Sequence, residues 1–143
     1  MYTTPALKQD LEVTGPVSLA LYASSTAVDT DFTAKLVDVW PTGLAQNLTE
    51  GILRARYRNS PEKPEMMNPG EVYKLTVDLW ATSNVFLAGH RLRLEVSSSN
   101  FPRFNRNTNT GEDPGQATRL AKATNTVYHD GEHPSALVLP VVP

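Results

Sequence analysis

Apolar and polar residues alternate with a period of two along most of the chain. Residues 17–25 (VSLALYASS) place Val17, Leu19 and Leu21 on one face of an extended backbone. Residues 90–99 (HRLRLEVSSS) repeat the pattern, with arginine and glutamate on the opposite face. Such alternation predicts half-buried β-strands. The same pattern marks four further segments: 32–40, 51–58, 71–82 and 136–142.

Turn signals rich in glycine and proline separate these segments, at 14–16, 41–43, 68–70 and 88–89. Many short strands with this punctuation are typical of a β-sandwich or jelly roll. A length of 143 residues is the usual size of one domain, so residues 1–143 are predicted to form a single all-β sandwich. Helical spacing occurs only at residues 115–124, where it suggests one helical turn.

The composition narrows the classes of partner. A net charge of −2 provides no global basic field, which argues against nucleic acid and anionic membranes as partners. The chain has no cysteine, which removes disulfides and thiolate chemistry. The first residues lack the basic-then-apolar pattern of a signal peptide, and this favours a cytoplasmic location as an expectation.

Candidate catalytic residues are not found. No G-x-S-x-G motif occurs, and the serines at 97–99 continue a strand. His129 and His133 form an H-x-x-x-H spacing that would bind a metal ion on a helix. Gly131 and Pro134 oppose a helix there, so a structural turn is favoured over a metal site. We therefore predict no catalytic residue, no metal and no cofactor in this chain.

Two polar clusters have more than one interpretation. Asp29 and Asp31 stand two residues apart, a spacing that suits either a structural calcium ion or, more simply, the capping of a turn. Arg54, Arg56 and Arg58 would project from one side of a strand. They could bind a phosphate or carboxylate, or they could pair with acids on a neighbouring strand or domain.

Four stretches together resemble one known family: residues 10–41, 48–60, 69–111 and 125–141. The family is the C-terminal domain of the X-Pro dipeptidyl-peptidase and cocaine-esterase (CocE/NonD) serine hydrolases, which are α/β-hydrolases. The most specific stretch is GHRLRLEVSSSNFPRF, residues 89–104. The resemblance implies a galactose-binding-like jelly-roll sandwich. It also implies that the Ser-Asp-His triad lies upstream in a catalytic domain, so this chain alone should be inactive.

The resemblance gives the polar stretch that follows the strand segment at residues 90–99 an expected role. The chain would be a non-catalytic accessory domain that packs on the hydrolase and cap domains, stabilises them and helps to shape the active-site cleft. A homodimer and the substrate, whether an X-Pro peptide, an ester or an amide, are left open. The residues expected at the domain interface are Phe101, Arg103, Phe104, Asn105, Arg106, Asn107 and Asn109. The alternative for both phenylalanines is the core of the sandwich itself.

A second class of function is a stand-alone carbohydrate-binding module of the same fold. Trp80 follows Leu79 on the opposite face of its strand, and an exposed tryptophan could stack on a sugar ring. Trp80 is therefore the candidate glycan contact.

Overall fold

Two antiparallel sheets pack face to face in the computed structural model, which describes residues 1–113 and 115–143. The predicted all-β sandwich is confirmed. Among the described residues no helix is long and apolar enough to span a membrane. The elements are β1 (Tyr2–Thr3), β2 (Leu11–Ser25), β3 (Asp31–Val39), β4 (Ala45–Arg54), a 3₁₀ turn (Ala55–Tyr57), β5 (Tyr73–Phe86), β6 (Arg91–Ser97), β7 (Asn125–Tyr128) and β8 (Ala136–Val138).

The strand order leaves the two sides of the sandwich different. One sheet has the order β1-β6-β3-β4, and the other has the order β5-β2-β7, with β8 following β7 along the same edge of β2. Edge strands β4 and β5 face each other on one side of the sandwich. On the other side, β6 and β1 face β7 and β8. The short strands β1 and β7 were not predicted, because two and four residues are too few to show a period.

The core is the set of residues that the alternation places inward. The side chains of Val17, Leu19 and Leu21 on β2 are at most 1% exposed, as predicted. They pack against the equally buried Leu75, Val77 and Leu79 of β5 and against residues of the other sheet, chiefly Phe32, Leu36 and Leu92. Burying aliphatic side chains of this size stabilises the fold by about 1.5–3 kcal/mol each.

A β-bulge in each of the edge strands β4 and β5 accompanies their close approach on one side of the sandwich. The register between β2 and β5 shifts so that Leu79 and Trp80 together oppose one residue of β2, which is a β-bulge. On β4 a second bulge falls at Leu48. The Thr49 hydroxyl donates a hydrogen bond to the carbonyl oxygen of Leu79 and so joins the two bulged strands. Gly51 lies so close to β5 that a Cβ there would stand 1.8 Å from the carbonyl oxygen of Asp78.

The strand predicted for residues 51–58 ends earlier than expected. β4 stops at Arg54, and residues 55–57 form a 3₁₀ turn closed by the N–H of Arg58 on the carbonyl of Ala55 at 3.1 Å. The cause is Asp29, whose carboxylate accepts the backbone N–H of Arg56 at 2.9 Å. The three arginines therefore do not project from one side of one strand.

The helical turn suggested for residues 115–124 is also corrected. The N–H groups of Gln116 and Ala117 both donate to the carbonyl of Asp113, which closes a single turn. Residues 117–124 adopt no helix, and Ala121 donates its N–H to the carbonyl of Thr108 at 2.9 Å. A helix would use that N–H for itself.

We expect Gly51→Ala to destabilise the sandwich by about 3 kcal/mol or more, at the upper end for overpacking. The new Cβ would collide with backbone of β5, which cannot rotate away. Gly131→Ala is the matched control, because a Cβ there meets nothing within 4 Å. Urea unfolding of both variants measures the difference. Equal unfolding midpoints would show that the two sheets do not approach this closely.

Candidate functional site: a polar loop anchored on buried carboxylates

Asp29 and Asp31 are fully buried acids, Asp31 as the first residue of β3 and Asp29 two residues before it. Asp29 is 0% exposed and Asp31 is 1% exposed. A carboxylate taken out of water costs several kcal/mol unless charged or polar donors compensate it. All four carboxylate oxygen atoms of Asp29 and Asp31 therefore need hydrogen-bond partners, and these partners identify the site.

Arg54 and Arg56 supply most of these donors. Arg54 is the register partner of Asp31 across β3 and β4, and its Nε and one terminal nitrogen contact both carboxylate oxygens of Asp31 at 2.9 and 3.0 Å. Arg56 donates its Nε to Asp29 at 2.7 Å, in addition to its backbone N–H. The hydrogen bonds to Asp31 raise the pKa of Arg54 above its ordinary value. The two arginines thus pair with acids of the chain itself.

Asn107 connects this ion-pair network to the loop after β6. Its side-chain amide donates to Asp29 and Asp31 at once, both at 2.8 Å, while its oxygen accepts the N–H of Asn109. The arginines extend to the same loop, since Arg54 donates to the side-chain oxygen of Asn105 and Arg56 to the carbonyl of Glu112. We call residues 98–112 the anchored loop.

Glu50 is a second anchor on β4. Its carboxylate accepts hydrogen bonds from the side chains of Asn100, at 2.6 Å, and Arg103, and Lys35 lies 3.5 Å away. Burial by itself opposes ionisation of Glu50, but the hydrogen bonds from Asn100 and Arg103 outweigh it and hold the pKa of Glu50 below its ordinary value. The anchored loop therefore rests on three carboxylates.

The outer face of the anchored loop is apolar and cationic. Phe101 is 63% exposed, so it lies outside the core. The guanidinium carbons of Arg106 and Arg103 lie 5.3 Å from the ring centroid of Phe101 and 5.5 Å from that of Phe104, respectively. These are cation–π distances. Of the predicted interface residues, Phe101 and Arg106 thus face outward, while Arg103, Asn105, Asn107 and Asn109 also hold the loop in place.

The two remaining candidate residues lie apart from the anchored loop. Arg58 folds back on the connector, where it donates to Glu65 at 3.0 Å, and its guanidinium stacks 4.5 Å from the Tyr73 ring. Trp80 is 69% exposed and has a φ of 64°. A positive φ is uncommon for a bulky residue, and the bulge in β5 requires it here.

The HDGEH segment forms a turn. Asp130 accepts the N–H groups of Glu132 and His133, and the backbone hydrogen bond from His133 contributes most to lowering the pKa of Asp130. His129 contacts the ring of Tyr2, whereas His133 contacts Tyr128. Within residues 1–113 and 115–143, no three acids, histidines or cysteines converge to hold a metal ion.

Sequence reasoning missed that acids at 29, 31 and 50 anchor the loop. The only signal in the sequence was that some polar residues within strands had no evident partner. Glu50, between Thr49 and Gly51, is one of them, and it is buried in the structure. Which donor contacts which acid depends on how the strands pair and on the path by which the loop after β6 comes back to them.

The fold and the site define a class of protein: a β-sandwich module organised around an anchored polar loop. The chain matches the family model of the X-Pro dipeptidyl-peptidase C-terminal non-catalytic domain over residues 1–138, and it belongs to that family. The family resemblance read from the sequence is confirmed.

Similarity to individual relatives agrees with this family assignment. The chain is 50% identical over 143 residues to cocaine esterase from Rhodococcus sp. (strain MB1 Bresler), an alignment that covers 99% of this chain and 25% of that protein. An aminopeptidase from a marine sediment Thaumarchaeota archaeon superposes with a TM-score of 0.91 at 31% identity, and an alpha-amino acid ester hydrolase does so with 0.90 at 31%. Both alignments cover 99% of this chain and 25% of the solved chain. The chain thus spans about a quarter of these relatives.

We expect Asn107→Ala to release the anchored loop and to destabilise the chain by about 3 kcal/mol, because two hydrogen bonds to charged groups are lost. Asn47→Ala is the control, since Asn47 is exposed and its loss should change stability by less than about 0.5 kcal/mol. Urea unfolding and limited proteolysis of the loop measure the effect. Similar behaviour of both variants would contradict the anchoring role.

The lowered pKa of Glu50 predicts a pH dependence. Its stabilising contribution is present above the ordinary value of 4.5 and is lost as the pH falls through the lower folded value. Wild type should therefore exceed Glu50→Gln in unfolding free energy by about 2 kcal/mol at neutral pH. At strongly acidic pH the two should converge, because the protonated Glu50 then resembles glutamine. A difference that does not change with pH would contradict this assignment.

Proposed function

We propose that this chain is the accessory domain of a longer serine hydrolase, and that the outer face of the anchored loop packs against the catalytic and cap domains. The domain stabilises those domains and forms part of the wall of the active-site cleft. The parent hydrolyses an ester, an amide or an X-Pro peptide bond through a nucleophile that lies outside these 143 residues. Membership in the non-catalytic domain family supports the accessory role.

One observation carries the choice of surface. Phe101 is 63% exposed on a loop whose polar residues are tied down by buried carboxylates. A large aromatic side chain held rigidly at the surface loses little conformational entropy on binding, and phenylalanine and arginine are enriched in interface cores. The Phe101–Arg106 pair therefore has the chemistry of an interface anchor.

The alternative, a carbohydrate-binding module, is supported by Trp80. An exposed bulky residue with positive φ is the kind of strained position that occurs at functional sites. Saturable glycan binding by the isolated chain, lost in Trp80→Ala, would favour this alternative over the accessory role.

The test compares the isolated 143-residue chain with the native polypeptide that carries this sequence, whose mass is first measured in an extract of its source. We expect the double variant Phe101→Ala/Arg106→Ala to change the stability of the isolated chain by less than about 0.5 kcal/mol, because both side chains face solvent. In the native polypeptide the same change should cost about 2 kcal/mol or more of domain–domain coupling. Thermal unfolding of the isolated chain measures the first change, and thermal unfolding of the native polypeptide measures the second.

Trp80→Ala is the matched control, since it removes another exposed aromatic side chain from a different element. It should leave the coupling between domains unchanged. A native polypeptide no longer than 143 residues would refute the accessory role outright. Loss of coupling in Trp80→Ala but not in the double variant would move the interface to the β5 bulge.

A further inference from the structure

One side of the sandwich is open and gives access to its own core. A cleft of about 430 Å³ lies between β6 with β1 on one sheet and β7 with β8 on the other. Leu19 and Leu21, each 1% exposed, lie at its floor. Its walls are mainly aliphatic, with Leu94, Val96, Val127 and Leu137 among the lining residues.

Backbone groups at the margins of the cleft also lack strand partners. β1 pairs with β6 only at Leu94 and Arg93, so the outer edge of β6 from residue 95 to 97 has no partner strand among the described residues. β7 pairs with β2 on one side, and no other described strand pairs with it. Free strand edges expose rows of N–H and C=O groups that another extended segment can bind.

We propose that an extended apolar segment of the same longer polypeptide, from outside residues 1–143, fills this cleft and pairs with one of its free edges. The inference rests on the accessory role proposed above and adds a second contact surface to it. The chain spans about a quarter of the length of its relatives, so three quarters of such a polypeptide is available to supply the segment.

The chemistry of the cleft favours a peptide segment over a small ligand. Among the residues that the structure describes, its lining includes no lysine, arginine, aspartate or glutamate, and the ionisable side chains there are those of Tyr2 and His129. These two rings contact each other at 5.7 Å between centroids and bridge the two sheets. A ligand with a charged head group would find no opposite charge, whereas a strand brings apolar side chains for the floor and backbone groups for the free edges.

The absence of cysteine from the chain permits a direct test by single-cysteine labelling. Leu137→Cys and Val127→Cys each place a thiol in the cleft, because Leu137 and Val127 pair with the inward-facing Leu19 and Ala23 of β2. Trp80→Cys is the control outside the cleft, and Phe101→Cys reports on the anchored loop. Each variant is treated with N-ethylmaleimide in the isolated chain and in the native polypeptide, and modification is followed by mass spectrometry of the peptide that contains the new cysteine.

We expect both cleft cysteines to react at least about tenfold more slowly in the native polypeptide than in the isolated chain. Trp80→Cys should react equally in both. Fast reaction of the cleft cysteines in both forms, with Phe101→Cys protected, would overturn this inference and leave the accessory role standing. Protected cleft cysteines with a reactive Phe101→Cys would support the inference and refute the proposed loop interface.

Three further results would each overturn the inference. Slow reaction of both cleft cysteines in the isolated chain at every concentration would show that the cleft is closed without a partner. Protection in the isolated chain that increases with protein concentration would identify a second copy as the occupant. A native polypeptide of 143 residues would leave no segment to supply and would refute the accessory role as well.

Discussion

The structure depends on the pairing of two carboxylates that water does not reach. Asp31, the first residue of β3, and Asp29 just before it lie in the interior, where an uncompensated charge would cost more than most single interactions contribute. Their donors come from the end of β4 and from the loop after β6. Satisfying these acids therefore fixes three remote parts of the chain together. The compact loop is a consequence of this electrostatic requirement, since few of its own side chains are buried.

The sandwich has one closed side and one open side, and each follows from backbone geometry. On the closed side, bulges in β4 and β5 bring the edge strands together, and Gly51 permits backbone contact that any side chain would prevent. On the open side, short strands leave a cleft whose walls are partly buried aliphatic residues that pack on the core. A free-standing domain would gain stability by covering that surface, so its exposure is consistent with a domain that works beside other parts of a longer protein.

Rigidity and exposure are combined in the anchored loop. Its polar residues point inward to acids, while Phe101 and Arg106 point outward. This division gives a stretch rich in asparagine and arginine a structural role beside the contact role that we propose for it. The asparagines are structural, and the exposed aromatic and its cation form the contact face that we propose for the partner domains.

The alternation in the sequence by itself determined the sandwich and the inward faces of β2 and of the first half of β5, because strand periodicity depends on neighbouring residues. The family resemblance rested on specific stretches, chiefly residues 89–104. Tertiary structure decided the rest. In β5 the residues that face the core have odd numbers up to Leu79, whereas after Trp80 an even-numbered residue, Phe86, faces the core. The bulge inserts one residue and causes this change. The partners of Arg54 and Asn107 are 23 and 76–78 residues away, and only the folded arrangement of strands and loop brings them within hydrogen-bond distance.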